Sequence, residues 1–231
     1  MTVSRGRLIV FEGPEGAGKT TQLGLVAQWL TAHGIDHMRV REPGGTALGD
    51  EARRLLLDTP GGLDPRAEAL LFMASRAALV ADVIAPALER GALVLADRYF
   101  LSTYAYQIAG RGLPEAEVRS ANALATAGVA PNLTLLFAVA AAERAARAAA
   151  RGAPDRIGRA GDAFHARVER AFAMFLSPNW QAAHPEAGPV VQIDGGGDAQ
   201  AVFARVRAAL GERWPELAMA NAPAAPARGR S

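Results

Sequence analysis

The sequence has no cysteine, and of its 25 basic side chains only one, Lys19, is a lysine. Without cysteine there is no disulfide, no thiolate metal site and no cysteine nucleophile. A chain biased toward Arg, Ala, Gly and Pro exchanges Lys for Arg wherever the exchange is cheap, so Lys19 marks a place where it is not. Excess charge is also scarce. A net charge of +2 gives no coating for nucleic acid, and the pI near 9.5 reflects arginine in place of lysine. No run reaches about 18 uncharged apolar residues, the length a membrane span needs. Residues Met1 to Arg7 lack the apolar run and small-residue site of a secretion signal. A soluble cytoplasmic protein with neither nucleic-acid nor membrane partner is expected. The 231 residues, half of them hydrophobic, suit one domain with a full core.

Five short apolar runs read as strands: Arg7–Glu12, His37–Arg41, Leu93–Asp97, Leu133–Val139 and Val190–Asp194. They are nearly continuous rather than alternating, as in a parallel sheet covered on both faces. Helical patterns lie between them, at Thr20–His33 with Gly34 as its cap, Gly49–Leu57, Arg66–Arg90, Pro114–Ala127, Ala141–Arg151, Asp162–His184 and Ala199–Arg213. Alternating strands and helices imply an α/β fold with an open, doubly wound sheet flanked by helices. Residues 151–161 (RGAPDRIGRAG) read as a mobile surface loop between two helices. Residues 1–214 form the expected domain, and 215–231 read as a disordered Ala-Pro-Arg tail.

GPEGAGKT, Gly13 to Thr20, fits G-x-x-x-x-G-K-[ST] without mismatch. Gly13, Pro14, Glu15, Gly16, Ala17 and Gly18 would curl the backbone so that N–H groups point at phosphate oxygens. The following helix, opening at Thr20 and Thr21 directly after Lys19, adds the positive end of its dipole. Lys19 reaches the β- and γ-phosphates as a compact charge, where the wide fork of arginine does not fit. Thr20 offers a hydroxyl to Mg²⁺. A chance Gly-rich turn would not follow an apolar strand and open a helix. A second strand, LVLAD, ends in Asp97 at the carboxyl edge, where ligands bind in this architecture; Asp97 suits the Mg²⁺ shell better than a plain turn acid does. ATP with Mg²⁺ is thus implied.

The phosphate acceptor must be sought elsewhere. The guanine-reading N-K-x-D pattern is absent, since the only lysine lies in the P-loop. REPGGT, Arg41 to Thr46, puts a Pro43-Gly-Gly turn at the carboxyl end of the second strand, where it would bring backbone close to a ligand and make Pro43 an expected substrate contact, although alone it reads as a plain turn. Phe72 and Arg76, four apart on a helix, share a face and pair a stacking ring with forked donors; alone they would be a core Phe and a surface Arg. Arg98, in DRY, sits beside Asp97 and suits an incoming phosphate. Thr103, Tyr106 and Gln107 can be presented by one helix turn.

FEGPEGAGKTTQ, REPGGT, LLFMASR, DRYFLSTYAYQ, RGAPDRI and FHARV, in this order, resemble thymidylate kinase over nearly the whole chain to about Trp214. The resemblance implies a P-loop nucleoside-monophosphate-kinase fold with a five-stranded parallel sheet and a mobile lid, transfer from ATP to dTMP in dTTP synthesis, and a homodimer. It implies that Phe72 stacks on thymine and that Arg76, Thr103 and Gln107 reach the base. Tyr106 would crowd the 2′ position, Glu15 would take the 3′-hydroxyl, and Arg98 would hold the acceptor phosphate. Lid arginines Arg151 and Arg156 would stabilise the transferring phosphoryl group, because the P-loop position that carries an arginine in some members is Gly16 here. Of the two, Arg156 is the foremost candidate. Lys19, Arg98, Arg151 and Arg156 are the expected catalytic set.

The sequence departs from the family pattern at Ala138, where an Asp is usual, at Gly158, where the acid of DRIE is missing, and at Phe172, where a Tyr is common. The departures touch lid geometry and turnover, not the class of reaction. Rival readings are a kinase for another nucleoside monophosphate or a deoxynucleoside, a P-loop switch or assembly ATPase, and an inactive nucleotide-binding subunit. Intact Lys19, Thr20 and Asp97 argue against the last.

Overall fold

The computed structural model describes residues 6–149 and 155–219. All five expected strands form: β1 Arg7–Glu12, β2 His37–Arg41, β3 Leu93–Asp97, β4 Leu133–Ala138 and β5 Val190–Asp194. They lie in the order β2-β3-β1-β4-β5, and every neighbouring pair is parallel. Alternate residues of β1 serve two different cores. Leu8 and Val10 face one, and Ile9 and Phe11 the other. That double burial explains why the strands read as unbroken apolar runs.

Helices α1 (Lys19–Ala32) and α10 (Ala199–Arg213) cover one face. The opposite face carries α3 (Pro65–Leu79), which runs through a π-helical turn at Val80–Ile84 into α4 (Ala85–Glu89), together with α5 (Phe100–Thr103) and α8 (Asp162–Met174). The chain leaves β1 toward α1 on one face and leaves β3 toward α5 on the other. The divergence opens a crevice at the carboxyl ends of β1 and β3, where Gly13 and Asp97 sit. The remaining helices are α2 (Ala47–Asp58), α6 (Glu115–Thr126), α7 (Ala141–Ala149), α9 (Pro178–Ala183) and α11 (Pro215–Met219). The span Pro65–Glu89 is long enough for a membrane crossing, with a mean hydropathy of 1.6 over its most apolar window. It carries Glu68 and Arg76 into buried polar contacts instead, as a core helix does.

Three expectations change. The helix expected over Asp162–His184 is broken, because Pro178 lacks an N–H and holds Ser177 extended (ψ 130°). Residues 100–110, unmarked by apolar periodicity, form α5 and a π-helical stretch, Tyr104–Gly110. Residues 215–219, expected to belong to a disordered tail, are helical. In α11, Leu217 is buried in the second core and Glu216 pairs with Arg7 at 2.6 Å. Residues 220–231 lie outside the described residues.

Candidate active site

The phosphate-binding loop is shaped by its glycines. Gly13, Gly16 and Gly18 have φ of 139°, 78° and 88°, which L side chains rarely adopt. A Cβ on Gly16 would stand 2.6 Å from the carbonyl oxygen of Arg144, so α7 can pack on the loop only over glycine. Lys19, buried to 7% exposure, donates from Nζ to the carbonyls of Gly13 (3.0 Å) and Pro14 (2.9 Å). Ala17 is buried under the loop, whereas Glu15, Thr20 and Thr21 are exposed.

Thr20 Oγ1 donates to Asp97 Oδ2 at 2.6 Å, across the crevice between the two strands. A hydroxyl and a carboxylate, both hard oxygen donors and open to solvent beside the loop, fit Mg²⁺, which keeps its other positions for water and phosphate oxygens.

Arg98 adopts a left-handed φ of 77°, one of two such non-glycine residues among those described. That conformation costs about 1–2 kcal/mol, and Glu12 offsets it. The fully buried Glu12 accepts from the backbone N–H groups of Tyr99 (2.8 Å) and Ser102 (2.9 Å) and from Ser102 Oγ (2.8 Å). Ser102 in turn accepts from Arg98 Nη1 at 2.8 Å, and the guanidinium lies 5.3 Å from the centre of the Tyr106 ring. Burial alone would lower the pKa of Arg98, but Tyr106, Glu12 and Asp97 raise it further, so the group stays cationic. The Tyr106 phenol is pushed up by burial and stays protonated.

A cavity of about 320 Å³ opens beside the loop. Its lining includes Glu15, Lys19, Thr20, Asp97 and Arg98 together with Pro43, Phe72, Arg76, Thr103, Tyr106 and Gln107. The Glu42–Pro43 peptide is cis. Arg76 is 2% exposed, and every N–H is engaged by protein. Nε donates to both oxygens of Glu42, Nη1 to Thr103 Oγ1 (2.8 Å) and Asn122 Oδ1, and Nη2 to Glu42 and the Tyr99 carbonyl (2.9 Å). Arg76 therefore forms the cavity floor, orienting Thr103 from below.

The thymidylate kinase family model matches residues 11–183 of the chain. The chain belongs to the thymidylate kinase family. It is 44% identical over 211 residues to the thymidylate kinase of Deinococcus radiodurans, covering 91% of this chain and 99% of that protein. It is 46% identical over 182 residues to that of Cutibacterium acnes, covering 78% and 85%. The crystal structure of thymidylate kinase from Ehrlichia chaffeensis matches with a TM-score of 0.68 at 30% identity, covering 88% of this chain and 97% of that one.

Within this thymidylate kinase fold the lid differs from the expected arrangement. Arg151 lies outside the described residues. Arg156, expected at the transferring phosphoryl group, is docked elsewhere. Its Nε donates to the Leu56 carbonyl (2.6 Å) and its Nη2 to Glu68 Oε2 (2.8 Å). The physical reason is Glu68, a fully buried carboxylate that needs cations around it. The lid turn itself lines the cavity through Asp155, Ile157 and Gly158. Where the usual acid of the lid is absent, Gly158 donates its N–H to Asp155 Oδ1 (2.8 Å), and its carbonyl contacts His165 Nε2 (3.1 Å). Phe172 packs edge-on against Tyr106, with ring centres 6.2 Å apart.

The motif reading passed over Arg53, Glu12, Glu42, Glu68 and His165. Arg53 and His165 line the cavity. Burial and the charge of Arg41 lower the pKa of Arg53, which donates to the Pro43 carbonyl at 3.0 Å. One signal was available for Glu68: it stands four residues before Phe72 and eight before Arg76, on the same helical stripe.

Proposed function

We propose that this kinase transfers the γ-phosphoryl group of ATP to dTMP in a direct in-line step, giving dTDP for dTTP synthesis. One observation carries the reading. One cavity is lined both by Lys19, Thr20, Asp97 and Arg98 and by Phe72, Thr103, Tyr106 and Gln107, which supports phosphate and base recognition in a single continuous space. Phe72 supplies a face for the thymine ring, and Thr103, held by Arg76, keeps its own hydroxyl proton for the base edge. The Tyr106 phenol, packed against Arg98 and Phe172, leaves little room at the 2′ position and so favours deoxyribose. Glu15 takes the 3′-hydroxyl. Arg98 clamps the acceptor phosphate, and Lys19 leaves the Gly13 and Pro14 carbonyls for the β- and γ-phosphates.

Arg98 is held by Ser102 and Tyr106 before the substrates arrive, which is how charge in a loose phosphoryl transition state is stabilised with little reorganisation. Arg151 is our choice for the lid cation, since Arg156 is committed to Glu68. Thr20 and Asp97 would hold Mg²⁺, which would neutralise charge on the phosphates. A lid drawn over the cavity by its 155–158 turn excludes water, which would otherwise hydrolyse ATP.

The reading extends to a cytoplasmic homodimer. Leu70 on α3 and Leu124 on α6 are 62% and 85% exposed on two helices that pack together, and a second copy would cover them. Leu124→Glu should shift the protein toward monomer in sedimentation. The test of function is ADP formation with ATP and Mg²⁺ against a panel of acceptors. We expect strong stimulation by dTMP and weak stimulation by dUMP, other monophosphates and deoxynucleosides. No stimulation by dTMP over buffer would defeat the reading, and slow hydrolysis indifferent to all acceptors would point to a switch ATPase.

A further inference from the structure

Glu68 lies behind the cavity wall, fully buried, and serves three side chains from separate parts of the chain. Oε1 accepts from Gln107 Nε2 (3.1 Å) and Arg111 Nε (3.0 Å). Oε2 accepts from Arg111 Nη2 (2.9 Å) and Arg156 Nη2 (2.8 Å). Gln107 belongs to the pocket wall and Arg156 to the lid turn. Arg111 continues the connection, its guanidinium 4.5 Å from the centre of the Phe164 ring on α8.

We propose, resting on the acceptor reading above, that Glu68 is a positioning residue coupling the lid to the base pocket, one buried carboxylate holding both Arg156 of the lid turn and Gln107 of the pocket wall. Two consequences follow from the geometry. One amide N–H of Gln107 is committed to Glu68, which fixes the side-chain amide and leaves its carbonyl oxygen and second N–H for the cavity. The turn carrying Asp155, Ile157 and Gly158 reaches the cavity because Arg156 is anchored beneath it, by Glu68 and by the Leu56 carbonyl. Without the charge of Glu68, Arg111 and Arg156 become like-charged neighbours lacking a counter-ion in a buried place. Arg156 then moves to water and takes the turn with it.

The test uses Glu68→Gln in the full chain with two readouts. One is the ratio of dTDP formed to ATP hydrolysed by water. The other is the rate of tryptic cleavage after Arg159 in nucleotide-free protein. Loss of a charge-assisted hydrogen bond should lower the ratio and raise the cleavage rate by at least about tenfold each, with cleavage elsewhere unchanged. Both are read on folded molecules, so a general loss of stability does not imitate the pattern. Arg156→Gln, which leaves Glu68 paired with Arg111, should reproduce both changes. The double variant should add no more than about twofold to either single one, because all three break the same contact. An unchanged ratio and cleavage rate in Glu68→Gln, or additive losses in the double variant, would overturn the proposal. If Glu68→Gln does not fold, Arg156→Gln decides alone, and wild-type values there would overturn it. If the wild type makes no dTDP, the kinase reading falls, while the cleavage measurements still decide whether Glu68 holds the lid.

Discussion

Replacing Arg76 by lysine keeps the charge and removes the fork, so it isolates what the guanidinium does beneath the cavity. Arg76 serves five acceptor atoms: the two oxygens of Glu42, Thr103 Oγ1, Asn122 Oδ1 and the Tyr99 carbonyl. A lysine ammonium has three protons on one nitrogen, so at least two of those buried acceptors lose their donor. Each such loss costs about 1–3 kcal/mol, giving about 2–6 kcal/mol in all. For a chain of this size each kcal/mol lowers Tm by about 2–4 °C, so a fall of about 4–24 °C is expected. Thr103 would also lose the contact that orients it, and the KM for dTMP should rise more than kcat falls. Thermal unfolding with and without dTMP, followed by steady-state kinetics, measures both. A Tm within about 2 °C of wild type, with an unchanged KM, would refute the view that this network sets the pocket floor.

Lys19→Arg should reduce transfer by at least about 100-fold, from loss of a preorganised phosphate contact, with an unaltered far-UV CD spectrum; near-normal rates would show that the phosphate contact lies elsewhere. Gly16→Ala must hold a left-handed φ of 78°, at about 1–2 kcal/mol, and pushes its Cβ onto the Arg144 carbonyl. It should raise the KM for ATP and lower Tm together, and an unchanged KM for ATP would count against α7 packing on the loop. Burial pushes the Glu68 carboxyl up, but Arg111 and Arg156 outweigh it and hold the group below the ordinary carboxylate range. A depressed carboxyl contributes stability that is complete above the unfolded pKa and lost as pH falls through the folded one. Urea unfolding should therefore show wild type losing stability on acidification below the ordinary carboxylate range more steeply than Glu68→Gln. Parallel curves would place the acid sensitivity in other groups.

Much of the fold was legible because double-sided burial leaves a plain mark: all five strands were marked by their apolar runs, and only Val139 was assigned in excess. The phosphate end of the site was legible for a similar reason. A loop that must curl around phosphate needs glycine at fixed places, and Gly13, Gly16 and Gly18 stand there with positive φ. One helix turn was legible around Thr103 to Gln107, but the extent of the helix over residues 100–110 and its π-helical part were not, because no 3.6-residue stripe marks them while Tyr104, Ala105 and Gln107 are buried in tertiary packing. The placement of Arg156 was invisible too. Its motif marks a lid cation, but its partner Glu68 lies 88 residues away, and no local pattern joins them.

Arginine is so common here that its presence identifies nothing, yet its burial does. Arg66 is 80% exposed in its side chain and pairs with Asp64 two residues before it, a contact that water would replace at little cost. The side chains of Arg76 and Arg156 are 2% and 8% exposed. A guanidinium taken out of water is tolerated only where carboxylates and carbonyls replace its hydration. Each buried arginine therefore points to a buried acid at its side, Glu42 for Arg76 and Glu68 for Arg156. Lys19 differs in one respect: two of its contacts are neutral, the carbonyls of Gly13 and Pro14 at 3.0 and 2.9 Å, which phosphate oxygens can replace, whereas Arg76 and Arg156 could leave their places only by giving up a carboxylate.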